Sequence, residues 1–358
     1  MRFCFLAERQ VGIGSAAAAI EPHIRAQGHH WQDVSYFEAG GLIERLPLPH
    51  HVVGTMRGFV QVTEALQRER FDALFFLTHN PAVFHPLALA KTPTLLWTDA
   101  TPAQLDLHAE HYGHPVERFR PAQRVKAAMV KRTFQSAALC IGWSEWARAS
   151  YVRDYGVRTE RTAVVSPGVD LTRWRAATIR SYSGLPRLLF VGGHFERKGG
   201  RLLLEVFRTH LRGRAELDLV TRDPVLEGPG MRVHHGLTAE SPALLELYRR
   251  ASMFVLPTLA DCFSIASLEA MAMGLPVIVS DVGGISDIVE SGSSGFLIKP
   301  NDGLKLLAAI EPLLADPPLC EAFGARGRAI VEERFDAKKC ADRLIELLAR
   351  CTRHGSAL

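Results

Sequence analysis

The chain has 358 residues, of which 47 % are hydrophobic and 22 % charged; this composition is typical of globular proteins, and the length predicts about two domains. The net charge of +4, from 42 basic and 38 acidic residues, is too small to indicate a nucleic acid as partner. The apolar run at residues 3–7 is too short for a signal peptide, and no run approaches the ~20 apolar residues of a membrane span.

The cysteines predict neither a metal site nor a disulfide framework. They are Cys4, Cys140, Cys262, Cys320, Cys340 and Cys351, with no CxxC pair and no histidine at a zinc-binding spacing. A reducing, cytoplasmic compartment is therefore expected. Cys262 lies beside Asp261, but no base stands at a recognisable spacing, so Cys262 is predicted to be a packing residue.

The first half of the chain alternates short apolar runs with helical patterns, which predicts βα units of a parallel sheet. Strands are predicted at residues 3–6, 34–37, 73–77, 95–98, 138–143 and 163–165, and helices at 16–27, 55–68, 116–136 and 144–155. Gly12 and Gly14 lie between the first strand and the first helix, as in phosphate-facing turns. Ala17 occupies the third glycine position of GxGxxG, which argues against an NAD-dependent oxidoreductase.

Two polar residues follow predicted strands of this half, so both are expected to border a ligand cleft. His79 is expected to be structural, bonded to nearby backbone. For Asp99 two interpretations have similar weight: a cleft residue that contacts substrate, or a turn residue that orders the backbone before Pro102.

The predicted helix 116–136 is basic and amphipathic. It carries the cations Arg118, Arg120, Arg124, Lys126, Lys131 and Arg132, and an apolar side made of Phe119, Val125, Met129, Val130 and Phe134. Such a helix can lie on an anionic membrane surface, although a solvated face is the commoner role. Peripheral contact with the inner membrane surface is therefore one expectation for this protein.

A polar segment, residues 171–186, is predicted to link two domains, at 1–170 and 187–336, with a final segment at 337–358. Strands of the second domain are predicted at residues 188–191, 217–221, 233–236, 253–256, 277–280 and 295–298, and helices at 201–208, 243–250, 264–273 and 337–350, with another beginning at Asp302. The strands again alternate with helices, so a second parallel sheet is expected.

A glycine-rich turn, residues 192–200, follows the first strand of the second domain. Glycines such as Gly193 let the backbone approach a ligand, and Arg197 and Lys198 supply positive charge. The turn therefore predicts an anion site, although it is not a Walker loop because GxxxxGK[ST] is missing.

The stretch 256–289 carries two acids on one βαβ unit. Asp261 lies in the loop before helix 264–273, and Glu269 lies more than one turn inside that helix. Both acids are therefore expected to border one cleft at the carboxyl end of the sheet.

Backbone amides complete this predicted site. The amides of Phe263, Ser264 and Ile265 stand at the helix start, where unpaired N–H groups and the helix dipole attract anions. Gly284, in the loop after the next strand, is expected to bring a further bare amide. A diphosphate that carries a sugar at each end would fit such a site.

This stretch resembles the donor-site signature of retaining glycosyltransferases of family 4, in which an acid, seven residues and a Glu precede Ala-Met-Ala-x-Gly-x-Pro-Val-Ile and a Gly-Gly loop. The sequence departs from it at Asp261, where Glu is usual, and at Ser264, where Gly is usual. The resemblance covers nearly the whole chain and is most specific over 188–200 and 253–300. It implies the α/β GT-B fold: two Rossmann-like domains facing each other across a cleft, with the last helix packing back on the first domain.

The resemblance also implies roles for the site residues. Arg197 and Lys198 would hold the donor diphosphate, with Glu269 on the ribose hydroxyls. Asp261 would hold the donor sugar. The Gly12 turn would meet donor phosphate or acceptor, and Asp99 would lie near the acceptor.

The implied function is transfer of a sugar from a nucleotide-diphosphate sugar to an unidentified acceptor, with retention of anomeric configuration. No cofactor and no metal are expected, because the sequence has no Asp-x-Asp motif and Arg197 and Lys198 offer positive charge. Two alternatives stay open: a nucleotide-sugar epimerase or phosphorylase on the same fold, and a non-catalytic nucleotide-sugar binder.

Overall fold

A computed structural model describes residues 1–9, 12–37, 41–45, 50–113, 120–176 and 184–353, without the side chains of 50, 51 and 120–122. Some predicted features fall outside the described residues. They are positions 10–11 of the first glycine turn, the start of the basic helix with Arg118 and Phe119, the side chain of Arg120, residues 177–183 of the predicted linker, and residues 354–358.

The described chain consists of short strands and the helices that connect or follow them. The strands are β1 (Phe3–Glu8), β2 (His30–Val34), β3 (Ala73–Leu77), β4 (Thr94–Thr98), β5 (Leu139–Gly142), β6 (Thr162–Val164), β7 (Arg187–Val191), β8 (Glu216–Val220), β9 (Met231–His234), β10 (Met253–Leu256), β11 (Val277–Ser280) and β12 (Gly295–Ile298). The helices are α1 (Ile13–Ala26), α2 (His50–Arg68), α3 (Asn80–Val83), α4 (Pro86–Lys91), α5 (Pro102–Leu107), α6 (Ala109–Tyr112), α7 (Arg120–Ser136), α8 (Glu145–Arg153), α9 (Gly200–Val206), α10 (Pro242–Arg250), α11 (Ile265–Ala272), α12 (Gly303–Ala315), α13 (Pro317–Arg334) and α14 (Ala337–Arg353).

The chain divides into two compact units. The first comprises Met1–Leu107, Pro115–Pro167 and Ala337–Leu358, and the second comprises His108–His114 and Gly168–Asp336. Within the first unit α14 packs against α1, and Gln27 Nε2 donates to Asp342 Oδ1 at 2.8 Å.

The first unit contains a parallel sheet in the order β2-β1-β3-β4-β5-β6. Its central strands β1, β3, β4 and β5 are buried at every position, as expected for strands covered by helices on both faces. Strand order reverses between β1 and β3, so their carboxyl ends border the crevice where open α/β sheets bind ligands.

The second unit contains a parallel sheet in the order β12-β11-β10-β7-β8-β9. The strand order reverses between β7 and β10, which pair directly through Met253 with Leu188 and Phe254 with Leu189. The carboxyl ends of β7 and β10 therefore define the ligand crevice of this sheet.

Polar side chains begin several helices as the sequence signals require. In four helices the side chain of the N-cap residue accepts a hydrogen bond from the backbone N–H three residues later. These N-cap residues are Ser144, Ser264, Asp302 and Asp316. Pro317 and Pro318 open α13, where a missing N–H costs nothing and the fixed φ suits the first turn.

Several predicted boundaries were wrong, and the largest difference at a helix start is in α2, which begins at His50 instead of residue 55. Strand β2 lies at His30–Val34 rather than 34–37, because only Trp31 and Val34 are buried and the strand has no continuous apolar run. Helix α1 begins at Ile13, three residues early, so Gly14 lies inside the helix instead of in a turn. Strand β9 ends at His234, two residues before the predicted end.

Trp174 lies in the predicted linker but belongs to the second unit. Its side chain is 4 % exposed, and its ring packs edge-on against Tyr248 with 5.2 Å between centroids. The first residues of segment 171–186 are therefore part of a folded unit rather than of a connecting segment.

The apolar side predicted for α7 divides in two. Val130 and Phe134 are buried in the core of the first unit, whereas Val125 and Met129 are 61 % and 38 % exposed. The described cations of α7, namely Arg124, Lys126, Lys131 and Arg132, are all exposed. None of the described helices combines the length and apolar character needed to cross a bilayer.

Candidate functional site

The reversal of strand order in the second unit brings two loops together, one after β7 and one after β10. The carbonyl oxygen of Arg197 accepts a hydrogen bond from the Leu259 amide at 2.8 Å and another from Thr258 Oγ1 at 3.1 Å. The predicted anion-binding turn and the acid-bearing loop therefore form one continuous surface.

The two predicted cations of the turn have partners on the other loop. Lys198 Nζ forms an ion pair with Asp261 Oδ2, and these side chains are 16 % and 8 % exposed. Arg197 Nη1 donates to the Ala260 carbonyl oxygen at 2.8 Å. Sequence analysis assigned Lys198 to the donor diphosphate and Asp261 to the donor sugar. In the structure the two side chains form an ion pair, so a ligand that binds the Lys198 ammonium group must share that group with Asp261.

Gly199 allows the two loops to approach this closely. Its φ is 77°, in the left-handed region, and a Cβ built on it would overlap the carbonyl oxygen of Pro257. Only glycine fits there. Lys198 is thus anchored next to the carboxyl end of β10.

Arg222, after β8, adds a third cation that sequence analysis missed. Its guanidinium lies against Gly193, where a Cβ would meet the Nε atom, and its Nη2 is 3.2 Å from His194 Nε2. Burial, followed by the charges of Arg197 and Arg222, lowers the pKa of His194. The turn therefore concentrates positive charge around a neutral imidazole.

The start of α11 lies beside Asp261. Ser264 is the N-cap, 2 % exposed, and its Oγ accepts from the Ser267 amide at 3.3 Å. Phe263 is 7 % exposed and packs near Phe335. The first N–H groups of a helix, here from Ile265 onward, have no intrahelical partner and carry the positive end of the dipole.

The Gly283–Gly284 loop is held against the Asp261 loop by its backbone. The Gly284 amide donates to the Cys262 carbonyl oxygen at 2.9 Å, so it is not the bare amide that was expected. Gly283 has φ 57°, and a Cβ on it would overlap the Asp261 carbonyl oxygen. The loop fixes the position of Asp261 by close backbone approach.

Glu269, on α11, is 6 % exposed and accepts a hydrogen bond on Oε2 from the Tyr248 hydroxyl at 3.0 Å. Burial raises the pKa of Glu269 to about 8, and the Tyr248 hydrogen bond and the Arg173 charge oppose part of that rise. The ligand-free carboxyl group is therefore mostly protonated at neutral pH, and Oε1 is the oxygen left for a ligand hydroxyl.

Residues predicted in the first half lie in the first unit. Gly12 is the N-cap of α1, with φ 89° and no atom within 4 Å of a built Cβ. Asp99 is half-buried after β4, and its Oδ1 accepts from the Ala100 amide at 2.8 Å, the bond expected of a turn residue.

Glu8, at the end of β1, is a buried acid that sequence analysis did not single out. Its side chain is 0 % exposed, and the Tyr36 hydroxyl donates to its Oε1. Burial raises the pKa of Glu8 to about 6; the Tyr36 hydrogen bond opposes the rise and the Asp99 charge adds to it. Nearby Thr78 has φ 74°, a strained value for a residue with a β-branched side chain.

His79 is a core residue, but not for the predicted reason. It packs against Phe134 with 5.3 Å between ring centroids, and burial lowers its pKa to about 4. Its Nδ1 has no hydrogen-bond partner within the described part of the chain, so the expected bond from this nitrogen to nearby backbone does not form.

The two α/β units and the cationic surface at the β7–β10 reversal define a protein with the GT-B fold. Residues 185–316 match a family model described as glycosyl transferases group 1, and residues 16–173 match one described as glycosyltransferase family 4. Together the two models match most of the chain, which belongs to the glycosyltransferases of family 4.

Curated relatives are similar over part of their length. A D-inositol 3-phosphate glycosyltransferase 1 of Catenulispora acidiphila is 31 % identical over 220 residues, covering 53 % of this chain and 52 % of the relative. A D-inositol 3-phosphate glycosyltransferase of Streptomyces scabiei is 29 % identical over 270 residues, covering 63 % and 60 %. The chain thus spans between half and three fifths of these relatives.

Solved structures show the same fold at low sequence identity. A sucrose-phosphate synthase from Thermosynechococcus elongatus superposes with a TM-score of 0.77 at 17 % identity, covering 98 % of both chains. The Anabaena protein Alr3699/HepE in complex with UDP-glucose gives a TM-score of 0.71 at 17 % identity, covering 98 % of this chain and 100 % of that one.

Proposed function

We propose that the protein transfers a sugar from a nucleotide-diphosphate sugar to an acceptor. The observation that carries this proposal is the surface at the β7–β10 reversal. There Arg197 and Lys198 contact the loop that leads into α11, and Arg222 lies against Gly193 of the same glycine-rich turn. A strand-order reversal of this kind is where open α/β sheets bind nucleotides. A helix start and several cations together match the charge of a diphosphate.

In this proposal the leaving diphosphate is stabilised by charges that are already in place. Arg197 is held by Ala260 and Lys198 by Asp261, so neither side chain needs to reorganise far as negative charge develops. We propose that these protein cations make a divalent metal unnecessary. Full activity in excess EDTA is expected, and a loss that magnesium or manganese restores would contradict it.

We assign separate donor contacts to the two acids of the second unit. Glu269 Oε1 accepts a hydrogen bond from the donor's ribose, since Tyr248 already occupies Oε2. Asp261 holds Lys198 and accepts a hydrogen bond from a hydroxyl group of the donor sugar. On the first unit, we propose that Asp99 and the Gly12 turn contact a substrate, and that the anomeric configuration is retained, as the family resemblance implies.

The first experiment is a calorimetric and thermal-shift screen of UDP, GDP, ADP and dTDP sugars. UDP-glucose is the first donor to test, because the structurally similar Anabaena protein is recorded in complex with it. A ligand at a hundred times its Kd should stabilise the protein by about 2.7 kcal/mol. Absence of any stabilisation by all four classes would contradict the proposal.

Product analysis then separates transfer from the alternatives. The proposed enzyme slowly hydrolyses its donor without acceptor and forms a glycoside of retained configuration with one, as NMR of the anomeric proton would show. Conversion of the donor sugar alone indicates an epimerase, phosphate-dependent release of sugar phosphate indicates a phosphorylase, and binding without any turnover indicates a non-catalytic binder.

We also propose that the protein works in the cytoplasm and contacts the inner membrane surface through α7. The exposed cations Arg124 and Lys126 flank the exposed apolar residues Val125 and Met129, a combination suited to anionic lipid. Flotation with vesicles that contain anionic lipid should therefore decrease in a variant with Val125→Ser and Met129→Ser. Equal flotation of the variant and the wild type would contradict membrane contact.

A further inference from the structure

Tyr112 comes from a part of the sequence flanked on both sides by the first unit, yet it belongs to the second. Helix α6 ends at Tyr112, and Gly113 follows with φ 64°, a left-handed turn that stops the helix. The segment that contains them clusters with the second unit, while the chain before and after it belongs to the first.

The Tyr112 ring lies on the side chain of Arg197. The guanidinium carbon is 4.7 Å from the ring centroid, within the range of a cation–π interaction. The Tyr112 hydroxyl is 3.2 Å from Cys262 Sγ, within hydrogen-bond distance for sulfur. Tyr112 therefore contacts both loops of the candidate site, one through its ring and the other through its hydroxyl.

These contacts restrict the orientation of Arg197. One face of its guanidinium is covered by the Tyr112 ring, and Nη1 is bound to the Ala260 carbonyl oxygen at 2.8 Å. Within the described part of the chain, Arg197 donates from Nη1 and its side chain is only half-buried, so the edge that carries Nη2 and Nε is available to an incoming anion. An arginine held in this way has less rotational freedom to lose when it binds a phosphate oxygen.

We propose that Tyr112 is a positioning residue, whose ring holds the Arg197 guanidinium in place for the donor diphosphate. The inference rests on the proposed function, because it gives Arg197 the diphosphate as its ligand. Cys262, predicted from sequence to be a packing residue only, tethers the Tyr112 hydroxyl and so fixes the ring. The segment that carries Tyr112 lies outside Gly168–Asp336 in the sequence, and it thereby contributes to the nucleotide affinity of the second unit.

The test compares two variants of Tyr112 that differ in the ring alone. Tyr112→Phe keeps the aromatic face and loses the hydroxyl, whereas Tyr112→Leu loses the face and keeps an apolar side chain. UDP, GDP, ADP and dTDP are first titrated into the wild-type chain of 358 residues by calorimetry, and the one that binds most tightly is used for the variants. Circular dichroism and melting temperature show whether each variant is folded.

Loss of the ring should weaken nucleoside-diphosphate binding by roughly 2- to 30-fold, the range expected for a cation–π contact from exposed to desolvated. Tyr112→Phe should bind within about threefold of wild type, because the ring that covers Arg197 is retained. A folded Tyr112→Leu variant with wild-type affinity would overturn the proposal.

A double-mutant cycle decides whether the effect passes through Arg197. In an Arg197→Ala background, Tyr112→Leu should have little further effect on affinity, because the group that it positions is gone. Effects that simply add would show that Tyr112 acts independently of Arg197 and would overturn the proposal. If the wild type binds none of the four diphosphates, the proposed function itself fails, an outcome distinct from unequal behaviour of the Tyr112 variants.

Discussion

Nucleotide binding should release a proton from Glu269. In the ligand-free protein, burial holds the pKa of this carboxyl group at about 8, with the Tyr248 hydroxyl donating to Oε2. A ribose hydroxyl that donates to Oε1 stabilises the ionised form, and hydrogen bonds to a carboxylate lower its pKa. Binding should therefore drive the carboxyl group from its protonated to its ionised state.

The size of the effect follows from the pKa. With a pKa of about 8, Glu269 is about 90 % protonated at pH 7 and about 10 % protonated at pH 9. Binding at pH 7 should release about 0.9 proton, and the affinity should rise roughly tenfold from pH 7 to pH 9 as the protonated fraction disappears.

The raised pKa of Glu269 also means that this residue destabilises the folded, ligand-free protein at neutral pH. Its pKa is raised in the folded state, so the folded protein binds more protons than the unfolded chain between the ordinary value of 4.5 and about 8. Stability is therefore lost as the pH rises through this window, by about 3 kcal/mol at pH 7. Glu269→Gln should remove this loss and raise the melting temperature of the ligand-free protein.

Calorimetry in two buffers with different ionisation enthalpies measures the released proton directly. Glu269→Gln is the matched control, because it keeps an acceptor for Tyr248 but cannot ionise, and it corrects for protons released by the nucleotide itself. The wild type should release more protons than this variant by about 0.9 at pH 7. Equal proton release by both proteins would refute the assigned contact between Glu269 and the ribose.

Three further predictions concern named residues of the two units. Lys198→Ala should lower kcat by about 10²–10³-fold and weaken diphosphate binding, since one preorganised charge is lost; unchanged values in calorimetry and turnover assays would contradict its role. Gly199→Ala should lower the melting temperature far more than Gly12→Ala, because both have positive φ but only Gly199 has backbone in the way of a Cβ; similar shifts would show that backbone strain alone matters. Asp99→Asn should lower kcat at least tenfold at unchanged nucleotide affinity if Asp99 contacts substrate, whereas near-normal turnover would make it a turn residue only.

The sequence was sufficient to predict the bounds of a strand where the strand is continuously apolar and turn residues or helix ends stand on either side of it. The predicted bounds of β3, β10, β11 and β12 match the structure, because each lies in a buried parallel sheet between turn residues or helix ends. Strand β2 was misplaced because its half-buried side chains outnumber its buried ones. Helix α13 was missed because two of its buried positions are glycines, Gly324 and Gly327, which interrupt the apolar side that would have shown the helical spacing.

The sequence was sufficient to name candidate residues for the site, but it did not predict which of them pair with each other. Sequence analysis singled out four candidates because each follows a predicted strand or lies on the next helix: Arg197, Lys198, Asp261 and Glu269. The ion pair between Lys198 and Asp261 spans 63 positions and depends on β7 lying beside β10, which no local pattern states.

Sequence analysis missed further polar residues of each unit for related reasons. Arg222 follows β8 just as Asp99 follows β4, so its position at a strand end was a usable signal. Tyr248 looked like one more apolar residue of α10, and Glu8 like a break in an apolar run; their roles appear only when partners from other elements reach them.

The return of α14 to the first unit has a consequence for how the chain folds during synthesis. Leu344, Leu347 and Leu348 are buried on its inner face, and each contributes about 1.5–3 kcal/mol when removed from water. A ribosome must synthesise the whole second unit before it makes this helix. The first unit, whose synthesis begins earlier, is therefore completed later than the second. Until then the surface of α1 that α14 covers stays open to water or to a chaperone. In a chain that ends at Asp336 and has left the ribosome, the second unit should therefore resist protease, whereas the first unit should be sensitive.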